Sequence, residues 1–141
     1  MKAQPAETTA MHRPLNVLLI EDSVEIRDAL IQSIEGSGAL AVKGTVDNSQ
    51  EAIALLDQGA IEAAVIDLRL RRGSGLQVLA HLKQAGNPRN IFRIVLTNHT
   101  TPAFKRICTN LGADYVLDKS LEFDYAIALL EQHALFRHSM S

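Results

Sequence analysis

A single cysteine, Cys108, excludes an internal disulfide framework and fits a reducing, cytoplasmic setting. The five histidines (His12, His81, His99, His133 and His138) are scattered, and with one cysteine they match no zinc-binding spacing. No apolar run approaches the roughly eighteen residues needed to cross a bilayer, so no membrane insertion is expected. Charge of one sign is also lacking. Fourteen Lys and Arg against sixteen Asp and Glu leave a formal net charge of −2, which gives no electrostatic case for a nucleic-acid partner. Internal repeats and low-complexity segments are absent. The opening MKAQPAETTAMHRP is polar and has no apolar core of a signal peptide, so 1–14 reads as a flexible leader.

What is present is enough apolar material for one core: 47% of 141 residues are hydrophobic, a length that suits one domain. The expected folded unit is 15–137, with a short tail over 138–141. Strand-like and helix-like periods alternate through it. VLLI (Val17 to Ile20) is a continuous apolar run, as in a strand covered on both faces. Ser23 can cap a helix carrying Ile26, Leu30, Ile31 and Ile34, with Gly36 as its stop. ALAVKGTV follows as a strand, then a helix opened by Ser49 and closed by Gly59. IEAAVID is a third strand ending on Asp67. After RRGSG, a third helix uses Leu76, Val78, Leu79 and Leu82 and stops at Gly86. IFRIVLT is a fourth strand ending on Thr97. Thr100 or Thr101 caps the next helix, with Pro102 in its first turn and Gly112 at its end. DYVLDK is a fifth strand ending on Lys119, and a last helix spans about Glu122 to Phe136.

Five such units predict an α/β fold with an open parallel sheet and helices on both faces. In such sheets the working site lies beyond the carboxyl ends of the strands, where strand order reverses. Those ends carry Glu21 and Asp22, Asp67, Thr97 and Lys119. In NVLLIEDSVEIRDAL the two adjacent acids imply either a cation between them or solvent exposure. For a flavodoxin-like strand order, 2-1-3-4-5, Asp67 stands beside them and three carboxylates converge. A partly buried triad of that kind calls for a hard divalent cation such as Mg²⁺ and for a lysine to offset it.

These residues resemble the receiver domains of two-component response regulators, in particular the single-domain, chemotaxis-receiver type. The resemblance runs from Val17 to about Leu130. It rests on LLIEDS, on VIDLRLRRGSGLQVL with Asp67 and Gly75, on IVLTN with Thr97 and on GADYVLDKS with Lys119. The intervals of 45, 30 and 22 residues separating Asp22, Asp67, Thr97 and Lys119 are also similar to the family's. The resemblance implies that Asp67 is the phosphoacceptor, charged by a histidine kinase or histidine phosphotransfer protein. It implies Mg²⁺ held by Asp22, Asp67, the Arg69 backbone carbonyl and, through water, Glu21. Thr97 and Lys119 would contact the phosphoryl group, and the output would be a contact with a downstream protein, with no catalytic activity beyond the domain's own phosphorylation and dephosphorylation. Nothing after Phe136 resembles an output domain.

Several positions depart from the family pattern. Arg71 stands where Pro is usual, Ser120 follows Lys119 where Pro is common, and Asn98 replaces a small residue. Arg69 and His99 should flank the approach to Asp67. The family's aromatic three residues before the lysine is here Val116, with Tyr115 one place earlier and so on the opposite face of its strand. Three other classes fit less well. An aspartyl-phosphate phosphatase would carry D-x-D on the first strand, a pseudo-receiver would lack one of the site residues, and a flavin site would need donors where the first loop has acids.

Overall fold

The computed structural model describes residues 13–84 and 90–140, with the backbone alone for 138–140. Most of the leader, His12 and the expected stop at Gly86 lie outside these residues. Five parallel strands, β1 (Leu15–Ile20), β2 (Leu40–Val46), β3 (Ala63–Ile66), β4 (Phe92–Thr97) and β5 (Tyr115–Asp118), form one sheet in the order β2-β1-β3-β4-β5. Five helices alternate with them: α1 (Val24–Glu35), α2 (Ser49–Asp57), α3 (Gly75–Gln84), α4 (Pro102–Asn110) and α5 (Phe123–Met140). The expected architecture and strand order are those the chain adopts.

The continuous apolar strands follow from burial on two sides. Successive side chains of a strand point to opposite faces, so Leu18 and Ile20 join one core with Ala64, Ile66 and Val95, while Val17 and Leu19 join the other with Ala63, Val65, Ile94 and Leu96. Helices α2, α3 and α4 cover the first face through Leu56, Leu79, Leu82 and Cys108. The second is covered by α1 and α5, through Leu30, Ile34, Leu129 and Leu130. Among the described residues, no helix is long and apolar enough to cross a membrane.

Capping sets where the helices begin. Ser23 accepts the Ile26 N–H at the start of α1, and Gly36 follows its end. Thr101, not Thr100, caps α4 by accepting the Phe104 N–H. Several boundaries differ from expectation: β3 and β5 end at Ile66 and Asp118, one residue before Asp67 and Lys119. Asn48 caps α2, because its side-chain oxygen reaches the Glu51 N–H at 2.9 Å while Ser49 is already helical. Helix α5 begins at Phe123 and continues past Phe136 to Met140, where no Gly or Pro interrupts it.

Candidate functional site

The register of the sheet brings the polar strand ends together. Ile20 of β1 is paired with Ile66 of β3, so Glu21 and Asp67 leave adjacent strands at the same level. The Asp67 N–H still donates to the Ile20 carbonyl at 2.9 Å, although β3 itself ends one residue earlier. Gly75 lets the start of α3 approach closely: a Cβ there would lie 2.3 Å from the Asp67 carbonyl oxygen and 2.8 Å from Ile66 Cγ2. Helix α3 thus backs directly onto the Asp67 main chain.

Four of the six expected side-chain and backbone participants are tightly enclosed or paired. Glu21 and Asp67 are each 4% exposed, and Thr97 is fully buried. The Lys119 ammonium donates to Asp67 Oδ2 at 3.0 Å and to Glu21 Oε2 at 3.1 Å. Glu21 Oε2 also accepts the Ser23 N–H at 3.0 Å. The Arg69 N–H reaches Asp67 Oδ1 at 3.3 Å, and the His99 N–H donates to Thr97 Oγ1 at 3.1 Å. Because that bond uses a lone pair, the Thr97 hydroxyl proton stays available for donation. Asp22 alone of the three acids is exposed. Asp22, Asp67, Arg69, Thr97, Asn98, His99 and Lys119 line a cleft of about 210 Å³, with Arg69 and His99 at its walls.

Burial pushes the Glu21 carboxyl up to about 7; the neighbouring Asp67 charge acts in the same direction, and the Ser23 N–H and Lys119 oppose it. Burial alone would lower the Lys119 ammonium, but its bond to Asp67 and the charges of both acids outweigh that, so it is held above its ordinary value. Glu21, Asp22 and Asp67 each offer a carboxylate oxygen, all within 4.8 Å of one another. Three hard oxygen donors at this spacing suit a divalent cation such as Mg²⁺. A larger cavity, of about 680 Å³, lies at the opposite, amino-terminal end of the strands, where Arg13 and Arg137 both bind Glu62. It contains none of the converging acids.

One contact at the edge of the site was not legible in the sequence. Arg71, where the resemblance expects Pro, forms a two-point ion pair with Asp47 beyond β2. Twenty-four residues separate them, and no local pattern joins them.

The family model described as response regulator receiver domain matches residues 17–131. The chain is 30% identical over 104 residues to the protein-glutamate methylesterase/protein-glutamine glutaminase of group 2 operon from Rhodospirillum centenum, covering 73% of this chain and 26% of that protein. It is 29% identical over 114 residues to the transcriptional regulatory protein UhpA from Salmonella typhimurium, covering 81% of this chain and 56% of the relative. The chain therefore spans only about a quarter to a half of these relatives. Among solved structures, the CheX–CheY–BeF3–Mg complex from Borrelia burgdorferi matches with a TM-score of 0.74 at 21% identity, over 88% of this chain and 90% of the matched one.

Proposed function

The chain belongs to the response regulator receiver domain family, and from that premise we propose that it accepts a phosphoryl group on Asp67 from a histidine kinase or histidine phosphotransfer protein. The output is a changed contact with a downstream protein, in the cytoplasm. The observation that carries this reading is the Lys119 ammonium, suspended between Asp67 and Glu21 beside the buried Thr97 hydroxyl.

In the transfer an Asp67 carboxylate oxygen forms a bond to phosphorus as the P–N bond of the donor phosphohistidine breaks, leaving an acyl phosphate on Asp67. Such transfers depend on positioning and on neutralising charge at the phosphoryl oxygens. Lys119 supplies one positive charge from within the fold, and its contact moves from the Asp67 carboxylate to a phosphoryl oxygen. Asp22, Asp67 and the Arg69 carbonyl would hold Mg²⁺ directly, and Glu21 through water. Mg²⁺ held there would supply further positive charge to the phosphoryl oxygens. The Thr97 hydroxyl donates to a phosphoryl oxygen and draws the Thr97–Thr101 loop with it. The methylesterase and transcriptional activities in the relatives' names belong to proteins far longer than the matched segment, and neither is assigned to this chain.

Incubation with Mg²⁺ and a small phosphodonor such as acetyl phosphate should add about 80 Da by intact mass, the increment of one phosphoryl group. Asp67→Asn should show no such adduct. An adduct of unchanged yield on Asp67→Asn, or none on the native chain, would reject the reading; the latter result would favour a binding-only module.

A further inference from the structure

The loop that follows Asp67 is held from outside by the connection between β2 and α2. The Arg71 N–H donates to the Asp47 carbonyl at 3.0 Å. Its guanidinium grips the Asp47 carboxylate twice, Nε to Oδ2 at 2.8 Å and Nη2 to Oδ1 at 3.2 Å. Asn48 pairs with Arg72 as in a parallel sheet, and the Ser49 N–H donates to the Arg72 carbonyl at 3.1 Å. Gly73 has φ +77°, and a Cβ there would lie 1.9 Å from Ser49 Oγ, so only glycine fits against α2. The Ser49 hydroxyl donates to Gln77 Oε1 at 2.9 Å, and that oxygen also accepts the Ser74 N–H at 3.0 Å. Behind this tip the loop closes on itself: Arg69 and Ser74 form an antiparallel bridge, and the Gly75 N–H donates to the Leu68 carbonyl at 3.0 Å.

We propose that Asp47 and Arg71 form a positioning clasp for the divalent cation, setting where the Arg69 carbonyl stands relative to Glu21, Asp22 and Asp67. This deepens the functional reading above and rests on it for the identity of the ligands. A carbonyl ligand has no rotamer with which to correct its aim, so the backbone path decides its position. Arg71 is two residues beyond Arg69, and its contacts fasten the far side of the same short loop. The clasp also adjoins the acids, because Asp47 and Arg71 line one hollow together with Glu21. Mg²⁺ demands near-ideal octahedral geometry at short distances, whereas Ca²⁺ accepts irregular sites at longer ones. A displaced carbonyl therefore weakens Mg²⁺ more than Ca²⁺.

Calorimetric titration of Mg²⁺ and Ca²⁺ into the full chain and into Asp47→Ala, Arg71→Ala and the double variant tests the clasp. Each single variant should bind Mg²⁺ about threefold more weakly, a size fitted to an exposed ion pair. The double variant should lose no more than either single, because the two side chains act as one unit. Ca²⁺ binding should change less. Arg71→Lys keeps the charge but not the two-point grip, and should fall between wild type and Arg71→Ala; it carries the same test if the alanine variant does not fold. Opposite shifts in the two single variants would show that their charges act only through the field, and would overturn the clasp. Additive losses, or equal losses for both ions, would overturn it as well. The titration does not depend on phosphoryl transfer. A wild-type chain that binds Mg²⁺ but gains no phosphoryl group would reject the function and leave the clasp standing. One that is phosphorylated while the variants bind Mg²⁺ as it does would reject the clasp alone.

Discussion

Glu21 is a buried carboxylate beside a second one, and its raised pKa has a direct consequence for stability. A carboxyl whose folded pKa lies above its unfolded value holds its proton more tightly in the native state. Its stabilising protonation is complete below the unfolded value, 4.5, and is lost as pH rises through about 7. Two other groups that shift do so in other ranges or in the opposite sense. Glu62, lowered to about 2 despite burial by the bonds from Arg13, Asn16 and Arg137, contributes stability that is lost only as pH falls below the ordinary glutamate range. Burial lowers His133, so its contribution grows as pH rises through the ordinary histidine range. The Glu21 effect is therefore isolated by difference. Thermal melts in chelator should show Glu21→Gln gaining stability relative to wild type between pH 5.5 and pH 8 (limits chosen around the ordinary and folded carboxyl values, about 4 and about 7). A wild-type-minus-variant difference that is flat across that interval would contradict the assignment.

At the scale of elements, α3 and α1 show two ways in which a helix start is secured. Helix α1 depends on the Ser23 cap, whose bond to the Ile26 N–H is 3.4 Å long and half-exposed. Removing such a cap costs about 1 kcal/mol. Helix α3 depends on contact: Gly75 is buried, and a methyl group there meets the Asp67 carbonyl and Ile66 together. Backbone cannot swing aside as a flexible side chain can, so Gly75→Ala should cost about 1–3 kcal/mol, the range for overpacked cores. It should also lower the yield of the Asp67 adduct, while Ser23→Ala should leave that yield nearly intact. Denaturant unfolding together with intact mass separates the two. Equal stability losses, with equal yields, would show that the close approach to Asp67 is unimportant.

Across the whole molecule, the route from site to surface depends on which side of the sheet each residue faces. Val95 is in the core under α2 to α4, so Thr97, two residues on, emerges on the same side. Val116 pairs with Val95 and packs on that core with Phe104 and Leu111. Tyr115 lies on the other side. The residue is 39% exposed, and its ring stands edge-on to Phe92 (centroids 6.1 Å apart) and to Tyr125 of α5 (6.4 Å). A ring there cannot turn into space vacated beside Thr97, and Val116 is too short and too stiff to do so. Output should instead travel through the Thr97–Thr101 loop and α4, where the Thr100 hydroxyl touches Asp118 at 3.4 Å. Tyr115→Leu should be phosphorylated normally and keep the phosphorylation-induced change in affinity for a downstream partner. Loss of that change with phosphorylation intact would make Tyr115 the switch.

The five strand-helix units follow from the sequence, because burial on two faces writes continuous apolar runs and the helix caps are short-range signals; the strand order 2-1-3-4-5 is the one expected of a flavodoxin-like sheet and is set by tertiary packing. Asp67 and Thr97 stand out in the chain because each terminates such a run, and Lys119 because it follows one after a single intervening residue. Other features depend on distance in space rather than along the chain. The Lys119 ammonium bridging Glu21 and Asp67, across 98 and 52 residues, exists only once five strands are in register. The Asp47–Arg71 clasp joins two loops with no shared periodicity, and neither residue type announces the other. The Glu62 node with Arg13 and Arg137 draws its partners from opposite ends of the described chain, and its geometry depends on α5 lying back along the strand starts. Local periodicity records which face of an element is buried; which polar side chains then meet is decided by the packing of those elements.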